Sequence, residues 1–226
     1  VAATASAPTA QADGTLNRQT AYRRFQERLL QGKVHPGQNL SQRELIAKLG
    51  ISLGALRELL ARWEAEGLLS VLPQRGIQIT AVDLRMIRES YQLRIAYERE
   101  ATIHAIDHVP DDELTRQRAL HTDIIDRAAR SVTANLLDEA QRIDSDFHDF
   151  LVARTSNETL IQAYSVNSIR VRMIHLDRFR LNSAVLIPAL EDHLDVIDGI
   201  LARDRGRAVS AMERHIQNAR QRAVAF

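Results

Sequence analysis

The stretch from Gln42 to Glu66, QRELIAKLGISLGALRELLARWEAE, constrains this chain more than any other. It reads as two helices joined by a tight turn. Ser41 can cap the first, and Glu44 three residues on completes a capping box. Leu45, Ile46 and Leu49 give that helix an apolar face, and Gly50 supplies the left-handed conformation that ends a helix without steric cost. Ser52 caps a second helix, in which Leu56, Leu59, Leu60 and Trp63 recur at helical spacing. Two short helices with a glycine-containing turn of this length are the signature of a helix-turn-helix, whose second helix lies in the DNA major groove.

The flanking sequence fits that motif. Gly67 ends the second helix. Two short apolar runs follow, Leu68 to Leu72 and Gly76 to Thr80, with Pro73, Gln74, Arg75 and Gly76 at the bend, which predicts a β-hairpin wing. Upstream, a helix over 18–31 places Ala21, Phe25, Leu29 and Leu30 on its apolar side, with Arg23, Arg24 and Arg28 on a solvated face. Pro36-Gly37 makes the turn into the motif. The segments GKVHPGQNLSQRELIAKLGIS, LRELLARWEAEGLL and PQRGIQI together resemble the DNA-binding domain of the GntR family of bacterial transcription regulators, over roughly residues 18–80.

That resemblance implies DNA contacts by the basic side chains at Arg43, near the start of the first motif helix, and Arg57, one turn into the second. It also implies a wing whose Gly76 allows approach to the minor groove, with Gln74 and Arg75 at its tip. An Arg on the recognition helix can grip a guanine edge or a phosphate. The competing reading pairs either Arg with Glu44, Glu58 or Glu64 on its own surface. One departure stands out. Many family members carry Ser-Arg-Thr-Pro where this chain has Ser52-Leu53-Gly54-Ala55. The Arg that often touches DNA is absent, Gly54 loosens the helix start, and no operator sequence carries over.

Composition bounds the rest. The chain has 226 residues, 45% of them hydrophobic, enough for two small domains with separate cores. It has no Cys, which excludes disulfides and thiolate metal sites. No run approaches the length of a membrane helix. Residues 1–14 lack the basic region and apolar core of a signal peptide and are expected to be a disordered tail, so a cytoplasmic protein is expected. Residues 1–80 carry ten Lys or Arg against six Asp or Glu, and residues 81–226 twenty against twenty-three. The N-terminal part is thus the half suited to phosphates. The expected organisation is a tail (1–14), a winged helix-turn-helix (15–81) and an all-helical domain (82–226).

The second domain predicts helices over about 83–108, 111–129, 133–154, 158–180, 188–203 and 205–224. Pro110 ends the first. Asp111 caps the second, Asn157 the fourth and Asp204 the last, while Pro188 opens the fifth. Six helices with short loops and apolar stripes predict an antiparallel bundle, so the fold class is mainly α.

Asp144 and His148, four residues apart, share a helix face that Ile143, Phe147 and Leu151 turn toward the core. His193 faces inward with Ile197, Ile200 and Leu201, and His215 lies between Met212 and Ile216. Three imidazoles and a carboxylate from three helices can converge in a bundle, and such donors suit a divalent transition metal such as Zn, Ni, Mn or Fe. Taken singly, each His would read as a hydrogen-bonded core residue. His104 and His108 read as a solvated helix end, and His35, His121 and His175 receive no role. Arg94 and Glu98 interrupt the stripe Ile87, Tyr91, Ala101, Ala105, and buried charge is costly without a partner. Two readings stay open: an internal i,i+4 ion pair, or Arg94 reaching out to a carboxylate ligand.

DSDFHDFLVARTSN resembles the signature of the FCD ligand-binding domain of one GntR branch, as do EDHLDVIDGILARD with AMERHI and the Tyr-x-x-Arg-x-x-x-Glu pattern at Tyr91. The likeness spans about 83–222. It implies a metal held by Asp144, His148, His193 and His215. It also implies a homodimeric regulator that binds an operator in double-stranded DNA, with an organic-acid effector near the metal, most often as a repressor. Two rivals stand beside it: a sensor in which the metal itself is the signal, and a metal-dependent hydrolase acting through activated water.

Overall fold

A computed structural model of the chain describes residues 20, 22–29, 31–178 and 181–225. The expected tail, the start of the first helix, Ala21, Leu30 and the end of the helix expected to reach residue 180 lie outside them. The chain forms two compact units that divide between Val82 and Asp83.

In the first unit, α1 (22–29), α2 (Gln42–Leu49) and α3 (Leu53–Ala65) pack beside a small sheet. The capping box forms in full: Ser41 Oγ accepts from the Glu44 amide at 3.2 Å, and the Glu44 carboxylate accepts from the Ser41 amide at 2.7 Å. Gly50 closes α2 in the left-handed region, at φ 61°. Ser52 Oγ accepts from the Ala55 amide at 3.1 Å, so α3 starts in order despite Gly54. Leu45, Leu49, Leu56, Leu59 and Trp63 are buried, and Phe25 stacks on Trp63 with ring centroids 5.2 Å apart. Arg24 and Arg28 do not form the solvated face expected of them. Arg28 Nε donates to the Lys48 carbonyl at 2.6 Å and Arg24 donates to the Gly50 carbonyl, which satisfies acceptors left open at the C-terminal end of α2.

The wing hairpin pairs β2 (Leu69–Leu72) with β3 (Gly76–Ile79). A strand not anticipated, β1 (Asn39–Leu40), joins the other edge of β3, giving the order β1-β3-β2. Two residues are too few to show alternation, so the sequence carries no strand signal there. Gly76 has φ +91°, and a Cβ on it would stand 2.5 Å from the Leu40 carbonyl oxygen. The β1–β3 crossing therefore requires glycine, whatever the wing touches.

The second unit contains α4 (Leu84–His108), α5 (Asp111–Arg130), α6 (Ala134–Arg154), α7 (Glu158–Asp177), α8 (Leu186–Leu201) and α9 (Arg205–Val224). Asn157 and Asp204 cap α7 and α9 as expected, at 3.1 and 2.9 Å from the amides of Leu160 and Arg207. Asp111 does not cap α5. The cap position falls on Pro110, and Asp111 joins Asp112 and Glu113 as first-turn carboxylates facing the positive end of the helix dipole. Helix α8 starts two residues before the expected Pro188, which still lies in the first turn, where a missing N–H removes no hydrogen bond. Helix α4 packs on α6, α7 and α9, and α8 packs on α5 and α9. Ile124, Ala128, Leu136, Ala140, Leu186 and Leu190 fill one end of this unit. Among α4, α6, α7, α8 and α9, buried polar side chains such as Arg94, Glu98, Asp144, His148 and His193 lie beside buried apolar ones such as Ile87, Phe147, Ile174 and Met212. No described helix is long and apolar enough to cross a membrane.

Candidate metal centre and nucleic-acid interface

Asp144 and His148 from α6, His193 from α8 and His215 from α9 are all buried, and one donor atom from each lies within 4.8 Å of the others. His193 Nε2 stands 3.1 Å from His215 Nε2 and 3.7 Å from Asp144 Oδ1. Phe147 forms an apolar wall, its ring 4.7 Å from that of His193 and 5.2 Å from that of His121.

Which nitrogen each ring offers follows from its other side. His121 Nδ1 lies 2.7 Å from the Gln117 carbonyl, an acceptor only, so that nitrogen carries the proton. Its Nε2 must then accept, and the partner 3.0 Å away, His193 Nδ1, must donate. His193 is thereby fixed with the Nε2 lone pair toward the centre. His148 Nδ1 lies 2.6 Å from Glu98 Oε2, a short contact set off the hydrogen-bond direction. Its Nε2 is buried with no hydrogen-bond partner among the described residues and is the atom left for the cluster. Asp192 Oδ2 stands 3.7 Å from His215 Nδ1, on the side that would leave Nε2 facing inward. Carboxylate, backbone and imidazole partners behind the rings are the outer supports that orient metal-binding histidines.

The donor set fits a metal ion. Donors about 2.1 Å from a common ion stand about 3 Å apart when adjacent, and the two Nε2 atoms are 3.1 Å apart. Lone pairs at that distance repel unless a proton or cation lies between them. A metal would meet this, and so would a neutral His215 with its proton on Nε2; an added proton, making an imidazolium, is unfavourable here. Burial, reinforced by His215, His148 and His121, pushes His193 well below the usual imidazole range. Burial also lowers His215 to about 4 and His175 to about 3. Burial would raise the Asp144 carboxyl, but His148, His175, His215 and Arg94 outweigh it and hold it below its ordinary value.

Of the two readings of Arg94 and Glu98, the ion pair is formed. Arg94 Nε donates to Glu98 Oε1 at 2.7 Å, with the side chains 4% and 0% exposed. Burial alone would raise Glu98, yet Arg94 and His148 bring it down to about 2. Arg94 nevertheless lines both cavities beside the cluster. One, of about 20 Å³, is shared with Asp144, His148, Arg172 and His175. The other, of about 10 Å³, is shared with Asp144, His175 and His215. Each has room for about one water.

Sequence reasoning passed over four contributors: Glu98 as the group behind His148, His121 behind His193, Asp192 beside His215, and His175, whose Nε2 is 3.2 Å from the Tyr91 hydroxyl. His104 and His108 form no such centre. Their rings stack 4.1 Å apart, and His108 Nδ1 lies 3.0 Å from the His104 carbonyl.

In the other unit Arg43, Arg57, Gln74 and Arg75 are exposed, and among the described residues no ion pair holds any of the three arginines. Arg43 lies in the first turn of α2, Arg57 in the second turn of α3, and Gln74 and Arg75 in the turn between β2 and β3.

The FCD domain pattern matches residues 89–218, more than half of the chain, and that of the bacterial regulatory proteins of the gntR family matches residues 17–79. The chain belongs to the FCD branch of the GntR family. BphR of Paraburkholderia xenovorans, named an HTH-type transcriptional regulator, is 24% identical over 208 residues, covering 88% of this chain and 82% of that protein. The HTH-type transcriptional repressor RspR of Escherichia coli is 23% identical over 203 residues, covering 88% and 85%. Among solved structures, McbR/YncC of Escherichia coli shares the fold, with a TM-score of 0.75 at 18% identity over 89% of this chain and 94% of that one. The GntR chain described here is a DNA-binding transcription regulator, not an enzyme.

Proposed function

We propose that this regulator's affinity for its operator is set by a small carboxylic acid bound in the helical unit beside a divalent transition metal. The observation that carries the reading is the buried set of Asp144, His148, His193 and His215, with His121 hydrogen-bonded behind His193 and the carboxylates of Glu98 and Asp192 beside His148 and His215. These four residues would hold the metal. When bound, it supplies a Lewis-acidic site for a carboxylate. Arg94, on the wall of both cavities, supplies positive charge beside it. Three helices meet at the cluster, so occupancy by metal and acid favours one arrangement of α6, α8 and α9 over others, which is what shifting a regulator's equilibrium requires.

On the DNA side, Arg43 and Arg57 with the wing tip Gln74-Arg75-Gly76 are the proposed contacts. A two-fold operator suits a homodimer, and binding to chromosomal DNA would put its work in the cytoplasm. A repressor released by its acid is the expected sign. The test is operator affinity, measured with metal-free and metal-loaded protein, with and without a panel of small carboxylic acids. The reading expects acid-dependent affinity in the metal-loaded protein alone. A response to metal with no response to any acid would make the metal the signal. Full-strength metal binding by His193→Ala would remove the ligand assignment, and a monomer in sedimentation would remove the dimer.

A further inference from the structure

The cavity of about 20 Å³ is also lined by residues that the metal reading does not use. Tyr164, Ser168 and Arg172 recur every four residues on α7 and line it together with Val171 and His175. Arg172 is 93% buried at its side chain, by the 7% that remains exposed. Its Nη1 donates to Ser168 Oγ at 2.8 Å and its Nη2 to Asp149 Oδ2 at 2.8 Å. Its Nε is buried and makes no hydrogen bond among the described residues, and neither does Asp149 Oδ1. The edge of a guanidinium formed by Nε and Nη2 is a fork that takes both oxygens of one carboxylate. Asp149 occupies one prong of it. Its side chain is 40% exposed, so it can turn into water at little cost.

We infer that Arg172 is an anchor for a second carboxylate, and that the effector is a short dicarboxylate with one end at the metal cluster and the other on this fork. The inference rests on the metal-and-acid reading above. A ligand carboxylate would replace Asp149, make two bonds where Asp149 makes one, and fill the unused Nε. Charge balance points the same way. With a divalent metal in the cluster and Asp149 released, the metal, Arg94 and Arg172 are matched by Glu98, Asp144 and two ligand carboxylates. A monocarboxylate would leave Arg172 on Asp149 and its Nε still empty. The cavity as it stands admits about one water, so entry needs Asp149 to leave and the sparse contact between α6 and α7 to open.

The experiment is a set of thermal-shift titrations on zinc-loaded full-length protein. Malonate, succinate and glutarate are each compared with the monocarboxylate of equal carbon number, and the whole set is repeated after chelation. At least one dicarboxylate should bind on the order of tenfold to a hundredfold more tightly than its partner, the worth of a charged hydrogen-bonded contact. Arg172→Met should erase that preference and keep the weaker monocarboxylate response. Asp149→Asn, at a half-exposed side chain, should strengthen dicarboxylate binding alone, and it keeps the test decisive if Arg172→Met does not fold. Monocarboxylates binding as well as dicarboxylates, or a preference that survives Arg172→Met, overturns the second anchor while leaving metal-dependent acid binding intact. Acids that bind equally after chelation, or no binding by either series, overturn the metal-and-acid reading and this inference with it.

Discussion

Glu98→Gln should separate what Glu98 does for the fold from what it does for the centre. The carboxylate lies at the middle of a buried row, 2.7 Å from Arg94 Nε and 2.6 Å from His148 Nδ1, and is itself fully buried. Gln keeps its shape and removes its charge, so the Arg94 guanidinium loses its hydrogen-bonded counter-charge and keeps only the more distant Asp144. Removing one member of a buried pair costs about 3–5 kcal/mol, against a total of about 5–15 kcal/mol for a domain. In a unit of this size that corresponds to a fall in Tm of about 10 °C or more. Independently, His148 loses the group behind its Nδ1, which should weaken metal binding about 10–100-fold. The double variant Arg94→Met with Glu98→Leu distinguishes the two effects. Apolar replacement of the whole pair should restore most of the stability, but it should not restore metal affinity, because no carboxylate then stands behind His148. Denaturant unfolding of metal-free protein measures the first effect and competition against a chelator the second. A wild-type unfolding midpoint in Glu98→Gln would refute the buried-charge argument. Full metal affinity in the double variant would refute the orienting role.

Arg57→Ala should cost about 1–3 kcal/mol of operator binding and blunt discrimination against random DNA if that side chain reads a base; normal binding in a gel-shift titration would move the recognition surface elsewhere. Gly199→Ala should destabilise the helical unit by about 1–3 kcal/mol through overpacking, because its Cβ would stand 2.8 Å from the backbone of Ala208 on α9; a neutral effect in denaturant unfolding would contradict the close α8–α9 approach. Burial holds His215 at about 4 in the fold, whereas exposed His titrates near ~6.5. The unfolded chain therefore takes the proton first, so this part of the metal-free stability is complete above ~6.5 and is lost as pH falls toward and through about 4. Unfolding midpoints at about pH 7.5 and about pH 5, either side of ~6.5, check it, and equal midpoints would refute it.

The helix-turn-helix was readable because its signals are local. A Ser that bonds an amide three residues on, and a glycine that tolerates positive φ, act within one turn of chain. The elements misplaced or missed were those decided elsewhere. Strand β1 exists because β3 offers it an edge, and two residues cannot announce that in advance. Arg24 and Arg28 have the spacing of a solvated face, yet the open carbonyls at the end of α2 lie within their reach. Pro188 marks a helix start only to within a turn, since any of the first four amides of a helix lacks a partner.

The metal centre divides along the same line. Asp144 and His148 announce themselves by i,i+4 spacing on an apolar face, and His193 and His215 by the apolar residues around them. What a neutral histidine offers a metal, however, is one lone pair, and the opposite nitrogen decides which one. That decision is made by residues far away in the chain. His121 lies 72 positions from the ring it orients, and Glu98 comes from a different helix than His148. Sequence spacing can therefore nominate ligands, but it cannot say which atoms they present. Helix α7 is the instructive exception. Its Tyr164, Ser168 and Arg172 recur every four residues within a helix whose Ile169, Val171, Met173 and Ile174 are also buried. A helix buried on its apolar side and also on a polar stripe has no need of that stripe for packing, because each polar group there must find a partner or leave a cost. Arg172 Nε, which makes no hydrogen bond among the described residues, is where that cost remains, and it is the ground for proposing the stripe as a binding surface.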